Sequence, residues 1–420
     1  MSQPEPERIA RVEAIVLKVP LPEGKTYWGK ASWGSEEGSR VLPLSAEYPP
    51  PRRRRYIYSE TIDCCLVRIE TASGAVGWGE AKAPVGAEAT ARIVENLLGP
   101  IVTGANPLDI RVLWERMYLA MQVRGHTSGF WLEAIAGVDI ALWDLAGRLL
   151  GQPIHQLLGG AFRDRVRVYA SGLPGLYDGM DESALARLAD LARGHVANGF
   201  TAMKMALGHG IEPDIRAVAA VREAIGQDVI LFVDAAGVYD PQQAIKLGRM
   251  LERYDVGWFE MPIRTDNLPG YIQVATALDV PIALDALTTR AQARDYVGGG
   301  GVDVIQPDVC RAGGISESLK IAEAADLYGA ACAPHVSIGS AVHFAATLQL
   351  ALALPNLFIA EHWIGDNPIG DQILTKPMPA PVEGYVSAPS GNGLGIEVDE
   401  AAVRRLAQLA EQSSGVFSLA

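Results

Sequence analysis

From about residue 160 onward, short apolar runs alternate with longer amphipathic ones. The short runs are "VRVYAS", "TAMKM", "VILFVD", "GWFE", "PIALD", "DVIQPD", "AACAPH" and "LFIAE". Runs of this length and apolarity read as buried strands, and they alternate with amphipathic stretches of helical spacing. Units of this kind also build open doubly wound sheets. Eight of them in succession, roughly 25 residues apart, fit closure into a (β/α)8-type barrel of the TIM kind better. The earlier part of the chain reads differently. An alternating strand covers Val12 to Val19, and a polar loop follows, ending "YPPPRRRRYIYSE". "CCLVRIE" then turns at Ser73 and Gly74 and returns as "AVGWGE", a hairpin signal. Helical patterns come next, ending in the largely apolar "WLEAIAGVDIALWDLAGRLLG". The expectation is an α+β capping domain over residues 1–150 and a barrel over 151–365. A Pro- and Gly-rich segment over 366–420, with a final helix, is expected to pack back on the first domain.

Composition narrows the function. The 420 residues carry a net charge of −13, which argues against a nucleic-acid partner, since a phosphate backbone calls for a basic surface. The four cysteines, Cys64, Cys65, Cys310 and Cys332, form no Cys-x-x-Cys pair. The first residues lack the apolar core of a signal peptide, and no apolar run is long enough for a membrane span. A cytoplasmic protein with reduced thiols is expected. Phosphate-loop, nucleophile-elbow and His-Glu-x-x-His patterns are absent, and the late "GNGLG" lacks the flanking strand and helix of a dinucleotide site.

The candidate chemistry lies at the strand ends. From the second strand on, each carries a polar residue, mostly at its C-terminal end: Lys204, Asp234, Glu260, Asp285, Asp308, His335 and Glu361. A parallel barrel builds its active site at that face, so the spacing gathers these residues into one ring. Three successive carboxylates, Asp234, Glu260 and Asp285, would repel one another unless a cation sits between them, and all-oxygen ligation points to Mg2+. Asp308 and His335 have the makings of a base with an orienting carboxylate. Glu361 closes the ring as a candidate neutral acid toward an anionic substrate. Lys204, an ammonium within an apolar strand, is explained if it faces anionic groups. The bland alternatives are a snorkelling lysine, carboxylates that cap helices and a satisfied core histidine.

The strings "GFTAMK", "LFVDAAG", "WFEMP", "PIALDALTTR", "IQPDVCRAGG", "CAPH" and "PNLFIAEHW" resemble the barrel of the enolase superfamily, in its mandelate racemase and muconate lactonizing enzyme branch. "TASGAVGWGE" and "GVDIALWDLAGRLLGQPIHQLLGG" resemble its capping domain. The resemblance implies a modified barrel, Mg2+ on Asp234, Glu260 and Asp285, and an Asp308–His335 dyad as base. The implied chemistry is removal of the proton α to a carboxylate, with Mg2+ stabilising the enediolate, a pairing already described for this superfamily. It also suggests a homo-oligomer.

The chain departs from that family's pattern in ways that shape the expectation. The second strand usually ends Lys-x-Lys, and Ala206 stands where the second lysine would be a base. Ala236 replaces a frequent Asn, Met261 a frequent Glu or Gln, and the third ligand is the shorter Asp285. A single base disfavours two-base racemisation and suits syn dehydration of a sugar acid to a 2-keto-3-deoxy acid, with His335 as base and then acid. Two rival readings stand beside it. One is an isomerase, either a cycloisomerase opening a sugar lactone or an epimerase with a second base elsewhere. The other is a protein that binds an acid without turning it over. Arg311 is expected to pair with a ring carboxylate or to meet substrate, and His362 is a second candidate contact beside Glu361. Trp28, with Tyr27 and Trp33, could close a lid, while "RRRR" at 52–55 reads as a solvated loop. Asp139 and Asp144 read as structural partners within the cap.

Overall fold

The computed structural model describes residues 7–23, 58–175 and 181–412. The expected lid residues Tyr27, Trp28 and Trp33 and the arginine run lie outside the described residues. The capping domain opens with a meander of antiparallel strands, β1 (Ile9–Pro20), β2 (Thr61–Thr71) and β3 (Val76–Ala81). Helices α1 (Ala87–Ile93), α2 (Ile110–Gln122) and α3 (Phe130–Leu150) follow. The glycines of "GWGE" explain how α3 docks. A Cβ on Gly79 would lie 2.0 Å from the Gly137 carbonyl, and one on Gly77 2.3 Å from that of Ala141. Strand and helix therefore touch backbone to backbone. Helix α3 is buried nearly all round because it has neighbours on both sides, the cap sheet and the barrel.

Eight parallel strands then alternate with helices: β4 (Arg165–Leu173), α4 (Glu182–Ala197), β5 (Ala202–Ala206), α5 (Ile211–Ile225), β6 (Ile230–Asp234), α6 (Pro241–Leu251), β7 (Val256–Glu260), α7 (Leu268–Ala277), β8 (Ile282–Leu284), α8 (Arg290–Gly298), β9 (Val304–Ile305), α9 (Ile315–Asp326), β10 (Ala331–Cys332), α10 (Ala341–Ala353) and β11 (Ala360–Trp363). The sheet order runs β10-β9-β8-β7-β6-β5-β4-β11. The seam between β10 and β11 closes through backbone bonds: Cys332 N to Asn356 O at 2.9 Å and Phe358 N to Cys332 O at 2.8 Å. This is a modified TIM-type barrel with an N-terminal α+β cap. A short strand β12 (Tyr385–Ser387) pairs antiparallel with β4, and helix α11 (Glu400–Gln412) follows. Helix α11 lies against the cap sheet, where Arg404 meets Glu13, and Glu400 lies 3.2 Å from Arg68.

The barrel interior follows the period-2 rule of strands. Its floor is one apolar cluster with a residue from every strand or its approach: Tyr169, Ala202, Phe232, Trp258, Ala283, Val304, Ala333 and Ile359. The Phe232 and Trp258 rings stack at 3.4 Å, with Tyr169 edge-on to both. Two residues further along each of these positions stands a polar side chain: Ser171, Lys204, Asp234, Glu260, Asp285, Gln306, His335 and Glu361. The dry floor therefore carries a polar layer directly above it.

Candidate active site

Lys204 sits in the middle of this layer. Its ammonium is 2.8 Å from Glu260, 3.2 Å from Glu361 and 3.9 Å from Asp234, and it is 1% exposed. Burial alone would lower its pKa, but Glu260 and Glu361 hold it well above the ordinary lysine value. Glu260 also accepts Trp258 Nε1 at 3.1 Å and Gln306 Nε2 at 2.7 Å. Asp234 takes the Ala236 amide at 2.8 Å. Burial, and then the neighbouring Glu260 charge, push the Asp234 carboxyl well up; burial likewise raises Glu260. One carboxylate oxygen of Asp285 is buried with no hydrogen-bond partner. Three buried carboxylates facing one ammonium leave excess negative charge, and an all-oxygen donor set with an unpaired oxygen suits a hard divalent cation.

The second half of the layer is built around Asp308, one interior step above Gln306. His335 Nδ1 lies 2.9 Å from Asp308 Oδ2, which leaves Nε2 facing inward, 3.5 Å from Glu361 and 3.6 Å from Asp285. Asp308 also receives Lys82 Nζ at 2.8 Å and the Cys310 amide at 2.9 Å, and His343 Nε2 lies 3.0 Å away. Burial would raise this carboxyl, but His343, Lys82 and His335 hold it well below the usual range. An ionised Asp308 accepts from Nδ1–H, which fixes the tautomer with its lone pair on Nε2. Asp308, Cys310 and His343 bring ligand-type atoms within 4.8 Å of one another, a closeness that the three acidic strand ends do not reach as a set among the described residues. Burial pushes the Cys310 thiol well above its ordinary value, so it stays a protonated packing group.

Two of these partners come from the cap. Lys82 follows β3 and reaches into the barrel, donating also to the Val336 carbonyl at 2.5 Å. Glu80, wholly buried, accepts the Ser340 and His343 amides, each at 3.2 Å, and so caps the start of α10. Sequence reasoning missed Lys82, Glu80, His343, Gln306 and Ser171. For Gln306 and Ser171 a signal existed, the two-residue step from the apolar floor.

Several expectations are corrected. Glu361 is not a neutral acid. It accepts Ser171 Oγ at 2.5 Å and the Val336 and Ser337 amides at 2.7 Å. Burial would raise it, but Lys204, His335 and these donors hold it far below the usual carboxylate range. His362 points to the opposite face of β11 from Glu361, between Phe200 and Phe344. Burial lowers its pKa to about 4, and it lines a cavity of about 410 Å3 with Ser337, Trp363 and Asn367. Arg311 lies 3.5 Å from Glu133 of α3, where the cap helix crosses. Asp139 and Asp144 serve structure: the first accepts from Ser316, the second from Trp78 and Leu394. Backbone strain gathers at the rim, where Ala236, Met261 and Ser337 hold φ of 47°, 41° and 54°.

A closed parallel barrel with ionisable groups on one interior layer, completed by a charged residue from a separate cap, defines an enolase-type protein. Residues 187–402 match the enolase C-terminal domain-like family, and residues 56–159 match the mandelate racemase / muconate lactonizing enzyme N-terminal domain. The chain belongs to the mandelate racemase and muconate lactonizing enzyme family of the enolase superfamily. It is 37% identical to a D-galactarolactone cycloisomerase of Agrobacterium fabrum, over 80% of this chain and 89% of that protein. It is 35% identical to an arabinonate dehydratase of Saccharolobus solfataricus, over 80% and 88%. A racemase from Streptomyces coelicolor solved with bound magnesium superposes with a TM-score of 0.79 at 28% identity, over 95% of this chain and 99% of that one.

Proposed function

We propose that this protein is a Mg2+-dependent lyase that removes the proton α to the carboxylate of a sugar acid and expels the β-hydroxyl as water. The observation that carries this reading is the placement of His335, with Nδ1 on the ionised Asp308 and Nε2 turned toward Asp285 and Glu361. Asp234, Glu260 and Asp285 would hold the cation. When bound, it supplies positive charge against the substrate carboxylate and against the negative charge that grows there as the α proton leaves.

His335 Nε2 takes the proton from C2, and Asp308 stabilises the imidazolium. The same Nε2–H then protonates the β-hydroxyl on the same face, the C3–O bond breaks, and water leaves. The resulting enol becomes a 2-keto-3-deoxy acid. Lys204 and Glu361 hold the charge pattern of the layer, and neither is asked to move a proton. Ala206, wholly buried where the family's second lysine would stand, supports one-base chemistry. The floor of Tyr169, Phe232 and Trp258 excludes water from below.

A second reading is favoured by the 37% identity to a cycloisomerase. The same base would then eliminate the ring oxygen of a sugar lactone, and no water would be lost. The test is a panel of sugar acids and sugar lactones incubated with the purified chain, with Mg2+ and after EDTA treatment, and read by NMR and mass spectrometry. A 2-keto-3-deoxy acid lighter by one water, formed only with Mg2+, is expected. A product of unchanged mass from a lactone would move the assignment to cycloisomerisation. If no substrate turns over while calorimetry shows Mg2+ bound, both readings fail, and the protein is a binder of acids.

A further inference from the structure

The Asp308 carboxylate is gripped on both of its oxygens. Oδ2 takes His335 Nδ1 at 2.9 Å and Lys82 Nζ at 2.8 Å. Oδ1 takes the Cys310 amide at 2.9 Å, and His343 Nε2 stands 3.0 Å from it. The Cys310 amide lies two residues along the same turn, a local bond typical of aspartate, and so moves with Asp308. His343 is the anchor of Oδ1 that comes from another element.

This histidine lies on the first turn of α10 and is wholly buried. Its seat is built from two sides. The cap's Glu80 accepts its backbone amide at 3.2 Å. Gly339 leaves space for the ring, since a Cβ there would come within 2.5 Å of Nδ1. Neither ring nitrogen has a well-aligned hydrogen bond among the described residues, and the Nε2 contact with Asp308 is oblique. A buried imidazole this poorly satisfied is a cost to the fold. Its neighbours Val342, Ala345 and Ala346 are apolar, and a leucine at 343 would pack beside them without that cost. What the histidine adds is a polar group on the far oxygen of Asp308. Burial would raise the Asp308 carboxyl, and His343 exerts the largest pull against it, ahead of Lys82.

We propose that His343 is a positioning residue for the base. A carboxylate anchored at one oxygen can turn about its Cβ–Cγ bond, whereas one anchored at both is fixed. With His343 on Oδ1, Oδ2 stays on His335 Nδ1, and Nε2 stays turned toward Asp285 and Glu361. His343 itself meets no substrate and moves no proton. Docking of the cap seats both outer anchors, Lys82 directly and His343 through Glu80. This role rests on the reading of His335 as the base.

The test compares His343→Leu, which removes the polar group, with His343→Gln, whose amide can still donate to Oδ1. Proton NMR of the full chain follows the low-field Nδ1–H resonance of His335, identified by its absence from His335→Asn. Wild type and His343→Gln should show one sharp signal, and His343→Leu a broadened or doubled one, with no substrate needed. On a sugar acid or lactone that wild type converts, His343→Leu should lower kcat by about 10- to 100-fold at nearly constant KM. His343→Gln should recover most of that loss, and both variants should melt at or above the wild-type temperature. An unchanged signal in His343→Leu would overturn the proposal, as would absence of the signal from wild type or a rise in KM in place of the fall in kcat. So would a joint loss of melting temperature and activity in both variants, which would make the histidine a packing residue. Failure of wild type to convert any acid or lactone would count against the proposed reaction instead, and the resonance would still decide the role of His343.

Discussion

Asp139 gives a prediction whose size follows from its surroundings. It lies on α3, wholly buried, and accepts the Ser316 amide at 3.0 Å and the Ser316 hydroxyl at 2.6 Å at the start of α9. Burial raises its pKa from the ordinary 3.8 to about 7, even though the Ser316 hydrogen bonds pull the other way. The fold therefore prefers the neutral acid. The stabilisation is complete below about pH 4 and is lost as pH rises through about 7. A shift of that size corresponds to about 4 kcal/mol. Asp139→Asn keeps the shape and removes the titration. In denaturant unfolding the variant's advantage over the wild type should grow from about 1–2 kcal/mol at pH 5 to about 4 kcal/mol above pH 8. Subtracting the two curves cancels every other titrating group. A difference that stays flat with pH, or an Asn variant less stable than wild type at pH 8.5, would refute the reasoning and mean that Asp139 is ionised against the helix terminus.

Other outcomes follow from the site. Lys82→Met strips the buried Asp308 of its cap-derived cation and should cost about 3 kcal/mol in unfolding free energy. It should lower kcat with little change in KM, because Lys82 touches Asp308 and not the interior face of His335. Ala236→Asn places a residue that tolerates a left-handed backbone at φ 47° and should add about 1 kcal/mol of stability, read as a higher denaturant midpoint. Mg2+ at a hundred times its dissociation constant should stabilise the protein by about 2.7 kcal/mol. Asp285→Asn should abolish most of that shift in a melting assay.

The barrel was legible because every strand repeats the same two-step device, an apolar floor residue and then a polar one. "FVD", "WFE", "ALD", "APH" and "IAE" each carry it, and Lys204 follows Ala202 in the same register. In β9 the reading chose the ionisable Asp308 and passed over Gln306, since an amide carries no charge signal. Ser171 was missed for the same reason. Lys82 and Glu80 were out of reach: their partners lie 226 and 260 residues away, and nothing local marks a strand end that leaves its own domain. The protonation state of Glu361 was also illegible, because it depends on how closely Lys204 and His335 approach it, and on a serine and two backbone amides, which only the closed barrel brings to it.

The most direct test of the central claim is exchange of the substrate C2 proton in D2O with Mg2+, comparing wild type with His335→Asn on an acid or lactone that wild type turns over. The account predicts that wild type breaks the C2–H bond and that the variant, still folded and still binding Mg2+, neither converts the substrate nor exchanges its proton. Turnover or C2 exchange by His335→Asn at a rate near wild type would contradict it, and would place the base elsewhere in the barrel.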